Sequence, residues 1–222
     1  MLEARLNDLK LYDYGASANC YKVRLLLAQL GRDYERVAVD IFGGDTLTDD
    51  FELLNPFRST PVLQIGDART LIESNAILWY LADGTPFLNT GELERAETIR
   101  WLIYEQTDVV PAIGGLRFRL LTKRFAANSP EAEARRKNAY DILRILDTHL
   151  STRPFLVGDE YSIADISVYS YAHVAPEAGI DISDYPSFRA WLDRIEHQDS
   201  FTNDLEPYPP NASVLAGTSI YG

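Results

Sequence analysis

Tyr14-Gly15-Ala16-Ser17-Ala18-Asn19-Cys20-Tyr21, with the segments on either side of it, decides how the rest of this chain is read. Upstream, Leu9-Lys10-Leu11-Tyr12 reads as a short strand; downstream, Val23, Leu26, Leu27 and Leu30 recur at helical spacing until Gly31 closes the run. The segment is therefore strand, loop, helix. Such a loop leaves Ser17 beside the first turn of the helix, where unpaired backbone N–H groups and the positive end of the helix dipole favour an anion. A hydroxyl there can donate a hydrogen bond to a thiolate.

Working outward, Tyr34 to Val39 alternates as a half-buried strand does, and a Gly43-Gly44 turn leads to a short helix from about Asp49 to Leu54. After Asn55-Pro56-Phe57-Arg58-Ser59-Thr60-Pro61, the runs Val62 to Ile65 and Thr70 to Ile72 form a β-hairpin around Gly66-Asp67. Glu73-Ser74-Asn75 opens a helix with Ile77, Leu78 and Leu81 on its apolar face. The order is βαβαββα, an α/β layout over residues 9–83 that is small enough to need covering by something else.

Residues 84–91 read as a linker, and beyond them the pattern is helical only. A long periodic run from Glu92 to about Phe125 carries Pro111 and Gly114-Gly115, which should kink it. Ser129-Pro130 suits the cap and first turn of a second helix, with Tyr140, Leu143, Leu146 and Leu150 inward. Phe155-Leu156-Val157-Gly158 then leads to Ser162-Ile163-Ala164-Asp165, an aspartate version of the capping box. Tyr185-Pro186 starts a last helix with Phe188, Trp191, Leu192 and Ile195 inward. The helical domain is thus expected over 92–200, and an irregular tail that drapes over the surface over 201–222.

With 222 residues, 46% of them hydrophobic, the chain can bury a sizeable core. A formal net charge of −12 would repel phosphate backbones and anionic lipid, so neither nucleic acid nor a membrane is an expected partner. One cysteine excludes an internal disulfide and a thiolate metal cluster within the chain. The N-terminal residues Met1 to Asp8 lack the apolar stretch of a signal peptide, and no run of about 18 apolar residues follows, so the expected compartment is the cytoplasm.

Four separated features agree in order and spacing: Ser17-Ala18-Asn19-Cys20; Asn55-Pro56-x-x-x-Thr60-Pro61-Val62-Leu63; Glu73-Ser74; and Phe155-Leu156-x-Gly158-x-x-x-Ser162-x-Ala164-Asp165-Ile166. From about Leu9 to about Ser200 the chain resembles the cytosolic glutathione transferase superfamily, of the serine type found in its theta, delta and zeta-like classes. The resemblance implies a thioredoxin-like N-terminal domain that holds glutathione, an all-helical C-terminal domain with a hydrophobic co-substrate site, a homodimer, and glutathione as co-substrate with no metal. It assigns Ser17 as catalytic, and Ser17, Thr60, Pro61, Val62, Glu73 and Ser74 to glutathione. Each role has a physical reading. A cis Pro61 turns the backbone of Val62 so that it can pair with the cysteinyl unit of the peptide as an added strand would. Glu73 offers a carboxylate to the γ-glutamyl ammonium; Ser74, at a helix N-terminus, offers its hydroxyl and backbone N–H groups to the γ-glutamyl carboxylate.

The spacing Ser17-x-x-Cys20 is also that of a thioredoxin-type Cys-x-x-Cys, with serine in place of the reactive cysteine, which suits a site that takes its thiol from outside. How much a serine can do there is bounded. Lowering a thiol pKa from about 8.5 by two units needs about 2.7 kcal/mol, within reach of one hydrogen bond to the charged sulfur plus a helix terminus. Thiolate then rises roughly 25-fold at pH 7, but nucleophilicity falls about tenfold, leaving a net gain of only about two- to threefold. Most acceleration must come from holding the electrophile beside the sulfur.

The expected co-substrate pocket draws on Tyr14, Leu116, Arg117 and Leu120; Arg117 and Arg119 read first as solvated or interface arginines, with binding of an anionic leaving group or carboxylated substrate as the alternative. The expected chemistry is addition of the glutathione sulfur to a small hydrophobic electrophile; the alternatives are an isomerase, dehalogenase or ether lyase on the same site, or a binding module without turnover. Cys20 falls at the inner position of the motif and should face the core. Ser162 and Asp165 read as structural, Arg135-Arg136-Lys137 as a solvated helix face, and His149, His173 and His197 lack the spacing of metal ligands.

Overall fold

Leu9, Leu11 and Asp13 point to one side of the first strand and are buried, while Lys10 and Tyr12 between them are half-buried, the period-two signature of a strand packed on one face. In the computed structural model, which describes residues 8–67 and 69–216, this strand is β1 (Leu9–Asp13). The stretches 1–7 and 217–222, on which the reading of the N-terminus and the end of the tail depend, lie outside the described residues.

From β1 the chain turns into α1 (Ala18–Gln29), whose end is set by Gly31 at φ 60°. The Gly31 amide bonds to Ala28 O and that of Arg32 to Leu27 O, closing the last turn as a left-handed glycine permits. β2 (Glu35–Ala38) follows, then the short helix α2 (Asp49–Leu54), β3 (Val62–Ile65), β4 (Arg69–Ile72) and α3 (Ser74–Ala82). The four-stranded sheet runs in the order β2-β1-β3-β4, with β1 and β2 parallel and the other pairs antiparallel. The alternation from Tyr34 to Val39 suggests a half-buried strand, but β2 lies at the sheet edge and is mostly exposed, with only Val37 half-buried. This is the expected thioredoxin-like order βαβαββα.

The register places the loops. Tyr12 of β1 lies opposite Val62, and Val62 in turn lies opposite Ile72; on the other side Asp13 lies opposite Ala38. The end of β1, the start of β3 and the end of β4 therefore share one end of the sheet, and the segments Tyr14–Ser17, Thr60–Pro61 and Glu73–Ser74 leave from it together.

The chain divides into two compact units: one runs through Leu81 and takes in the segment from Thr202 onward, the other spans Ala82–Phe201. The helical unit contains α4 (Glu92–Tyr104), a π-helical stretch (Glu105–Gly114), α5 (Gly115–Leu121), α6 (Pro130–Leu150), α7 (Ile163–Ala172) and α8 (Pro186–Glu196). The expected kink in the long run is this π stretch. Pro111 has no N–H to continue the ladder, and Gly114 lies where a Cβ would stand 2.3 Å from the Tyr171 ring, so no other side chain fits without displacing it. Ser129 caps α6 by accepting from Ala132 N at 3.2 Å. The capping box of α7 is present, with Asp165 fully buried in it. No helix among the described residues is long and apolar enough to cross a membrane.

Candidate functional site

Ser17 is the N-cap of α1: extended at φ −83° and ψ 121°, it accepts from Cys20 N through Oγ at 3.4 Å. This bond uses a lone pair of the hydroxyl oxygen and not its proton, so a capping serine can still donate. The turn that carries it is closed by Ser17 N donating to Tyr14 O at 2.9 Å, and Tyr14 N points at the Cys20 sulfur at 3.4 Å. Cys20 itself is fully buried, and desolvation, helped by the charge on Asp13, pushes its thiol up to about 12. A thiol so protonated and so covered is inert as a nucleophile, as its inner position in the motif leads one to expect.

The Thr60–Pro61 peptide bond is cis, and Val62 begins β3 directly after it, fully buried. At the neighbouring strand end Glu73 is exposed, with φ 68°. A non-glycine residue in the left-handed region costs about 1 kcal/mol or more and persists where surroundings enforce it, often at a ligand clamp. Its carbonyl accepts Ile77 N at 2.9 Å, so the strained residue is built into the start of α3. Ser74, buried at the first position of α3, donates through Oγ to Asn19 Oδ1 at 3.2 Å. Asn19, on the first turn of α1, thus ties the two helix starts together. The sequence marks Asn19 only as part of a motif, because nothing local says that residues 19 and 74 meet.

Two helix N-termini, a serine hydroxyl, a strained carboxylate and a strand start after a cis-proline therefore converge at one sheet end. Chemically, amide dipoles and hydroxyls gathered in this way can bind anionic groups, and a carboxylate beside them an ammonium.

Beside it lies a cavity of roughly 860 Å³, lined by Asp13 at the end of β1, Tyr14, Gly15 and Ala16 from the turn, Arg36 and Ala38 of β2, Val39, Asp40 and Asp45 after it, and Glu206, Pro207, Pro209, Pro210 and Asn211 from the tail. Of the residues expected to shape the co-substrate pocket, Tyr14 is on this wall. Leu116, Arg117 and Leu120 belong to α5 in the helical unit, where Leu116 is fully buried and Leu120 half-buried. Arg117 is buried as well and is paired with Glu177 at 2.7 Å. The tail contribution escaped the sequence because Thr202–Pro209 has no periodicity to read, and its anchors lie far away along the chain. Among the described residues no cluster of His, Cys, Asp and Glu is arranged to hold a metal ion.

Comparison with known proteins agrees with this architecture. Residues 16–83 match the family model for the glutathione S-transferase N-terminal domain, and residues 109–199 match that for its C-terminal domain. The chain belongs to the glutathione S-transferase family. Glutathione S-transferase 3 of Zea mays is 32% identical over 94% of this chain and 99% of its own length. A disulfide-bond oxidoreductase of Escherichia coli, YfcG, is 28% identical over 82% of this chain and 87% of its own. Among solved structures, a glutathione S-transferase from Pseudomonas fluorescens superposes with a TM-score of 0.86 at 41% identity, covering 89% of this chain and 99% of that one. The protein is a glutathione transferase with glutathione as its co-substrate.

Proposed function

We propose that this enzyme ionises glutathione through Ser17 and adds the resulting thiolate to a small hydrophobic electrophile. The single observation that carries the reading is Ser17 as N-cap of α1, at the sheet end where Val62, Glu73 and Ser74 also lie. Thr60 and Pro61 shape the entry to β3, Val62 presents backbone to the cysteinyl unit, and Glu73 and Ser74 take the γ-glutamyl ammonium and carboxylate. With Cys20 buried and protonated, the sulfur that reacts is the one brought in by glutathione.

The electrophile occupies the cavity beside the Tyr14–Ser17 turn, on whose wall Tyr14 sits. Arg117, spent on Glu177, sets the position of α5 rather than binding an anion. The working form is a cytosolic homodimer, supported by Leu53 and Phe57, 85% and 71% exposed on the first unit, and by the exposed Ile99 and Ile103 on α4.

The test is titration of the bound thiol, by its thiolate absorbance, in wild type and Ser17→Ala. Losing the hydrogen bond should raise its pKa by about one to two units while kcat at neutral pH falls by no more than about threefold, since the more basic thiolate is the better nucleophile. An unmoved pKa removes Ser17 from catalysis. Glu73→Ala should weaken glutathione binding about tenfold or more, as loss of a charge-assisted hydrogen bond does. Turnover of mixed disulfides in place of aryl halides and epoxides would transfer the reading to the activity named for the Escherichia coli relative.

A further inference from the structure

Arg24 lies seven residues after Ser17 on the same helix, and its side chain is 1% exposed. A buried guanidinium has five N–H donors to place, and here they join three separate pieces of the first unit. Nη1 meets Asp13 Oδ1 at 2.5 Å, at the end of β1. Nε meets both carboxylate oxygens of Asp204 at 3.0 and 2.9 Å. Nη2 donates to Gly15 O and to Asp204 O, each at 3.3 Å. The remaining oxygen of Asp13 takes Arg36, whose Nη2 reaches Glu206 at 2.7 Å.

The strap from Thr202 to Glu206 is therefore fixed to the turn that carries Ser17, and at more than one point. Besides the arginine, Glu206 N donates to the same Gly15 carbonyl at 3.1 Å, and Tyr21 Oη donates to Thr202 O at 2.9 Å. The approach is close: a Cβ on Gly15 would stand 2.3 Å from the Glu206 carboxyl carbon, so a side chain there would push the Glu206 carboxylate aside. Gly15 is held by its carbonyl two residues before Ser17, and the turn between them closes through Tyr14 O. Moving the strap moves the carbonyl, and moving the carbonyl turns the capping residue.

We infer that Arg24 is a positioning residue: through it the C-terminal strap Thr202–Glu206 sets the Tyr14–Ser17 turn, and with it the aim of the Ser17 hydroxyl at the glutathione sulfur. The inference rests on the proposed role of Ser17. It makes the tail a component of the thiol-activating site, a part that a transferase cut short at its last helix would lack.

The experiment uses the full chain with Asp204→Ala, which removes the strap's carboxylate from Arg24 at a side chain 39% exposed, leaving only the Asp204 carbonyl contact, and keeps the buried Asp13–Arg24 pair intact. The readouts are the pKa of the bound glutathione thiol, the glutathione Kd and the thermal midpoint, with Asp204→Glu as the conservative rescue. The expected result is a rise of the bound-thiol pKa by about one unit, a tenfold loss in ionisation constant, with the Kd within about twofold and the shift reversed at least in part by Asp204→Glu. In the double variant with Ser17→Ala the two shifts should not add, because both act on one hydrogen bond. If Ser17→Ala raises the thiol pKa while Asp204→Ala lowers only the thermal midpoint, the strap is structural and the positioning role is overturned. If Ser17→Ala itself leaves the pKa unmoved, the role of Ser17 fails, and the positioning role with it.

Discussion

Each unit of this protein buries an aspartate completely, and the two solve the same problem in opposite ways. Asp165, in the helical unit, is held by neutral donors alone: Leu156 N and Trp191 Nε1 to one oxygen at 2.9 Å each, Ser162 N and Ser162 Oγ to the other at 3.1 and 3.2 Å. Asp13, in the first unit, is held by two guanidinium groups, those of Arg24 and Arg36. A carboxylate surrounded by dipoles is satisfied but not neutralised, so burial pushes Asp165 up to about 6 despite its donors. A carboxylate between arginines is compensated, and the cations in turn need further acceptors, which the tail supplies in Asp204 and Glu206. The first arrangement locks a helix start in place. The second ties distant pieces of chain to one another around a functional turn.

The comparison is sharpened most by removing each acid. Asp13→Ala should cost about 3 kcal/mol in urea unfolding, because it leaves Arg24 Nη1 and Arg36 Nε without their buried acceptor while Asp204 still pairs with Arg24, whereas a loss below about 1 kcal/mol would mean that water reaches Arg24. Asp165→Ala should cost about 3 kcal/mol, leaving the Leu156 amide and the Trp191 indole without an acceptor.

The next largest effect is in pH. Asp165 has a folded pKa raised from 3.8 to about 6, so its contribution to stability is full below about 4 and lost as pH rises through 6. His173 is stacked on Tyr169, and burial, the largest cause, lowers its folded pKa from 6.5 to about 4. Its contribution is full above 6.5 and lost as pH falls to 4. Each shift corresponds to about 3 kcal/mol, and the two have opposite signs, so unfolding free energy should be nearly flat between about pH 4 and pH 6. His173→Phe should unmask a stability that falls as pH rises through this window, and Asp165→Asn one that rises. Parallel slopes in the two variants would refute both assignments.

The smallest effect belongs to the periphery of the arginine cluster. Glu206→Gln, at an exposed ion pair with Arg36, should change stability by less than about 1 kcal/mol and lose even that in high salt. A larger loss would show the strap to be a stability element of the whole unit.

These two aspartates also show what is legible in a sequence. Asp165 was readable, because its partner in the capping box stands three residues away and helix geometry fixes what that spacing does. The strand, loop and helix around Ser17, the hairpin after Pro61, the cap at Ser129 and the inward faces of α6 and α8 were readable for the same reason. Asp13 was not. Its arginines stand 11 and 23 residues further along, and the acids that complete the cluster lie 180 and 170 residues from their arginines, so only folding brings them together. The π stretch was half readable: Pro111 and the glycines announce an interruption, but its form depends on the packing of Gly114 against Tyr171.

By itself the sequence determined the order of elements and the division into an α/β and a helical part, which follow from short-range periodicity and local backbone chemistry, and it carried the serine, proline and glutamate–serine motifs by which the chain resembles a glutathione transferase. Only the tertiary structure decided that Asn19 meets Ser74, that the sole cysteine is sealed off, and that the tail returns to clamp the turn before Ser17. Hydrogen bonds and ion pairs between residues far apart in the chain leave no periodic trace, since the spacing that matters to them is measured through space.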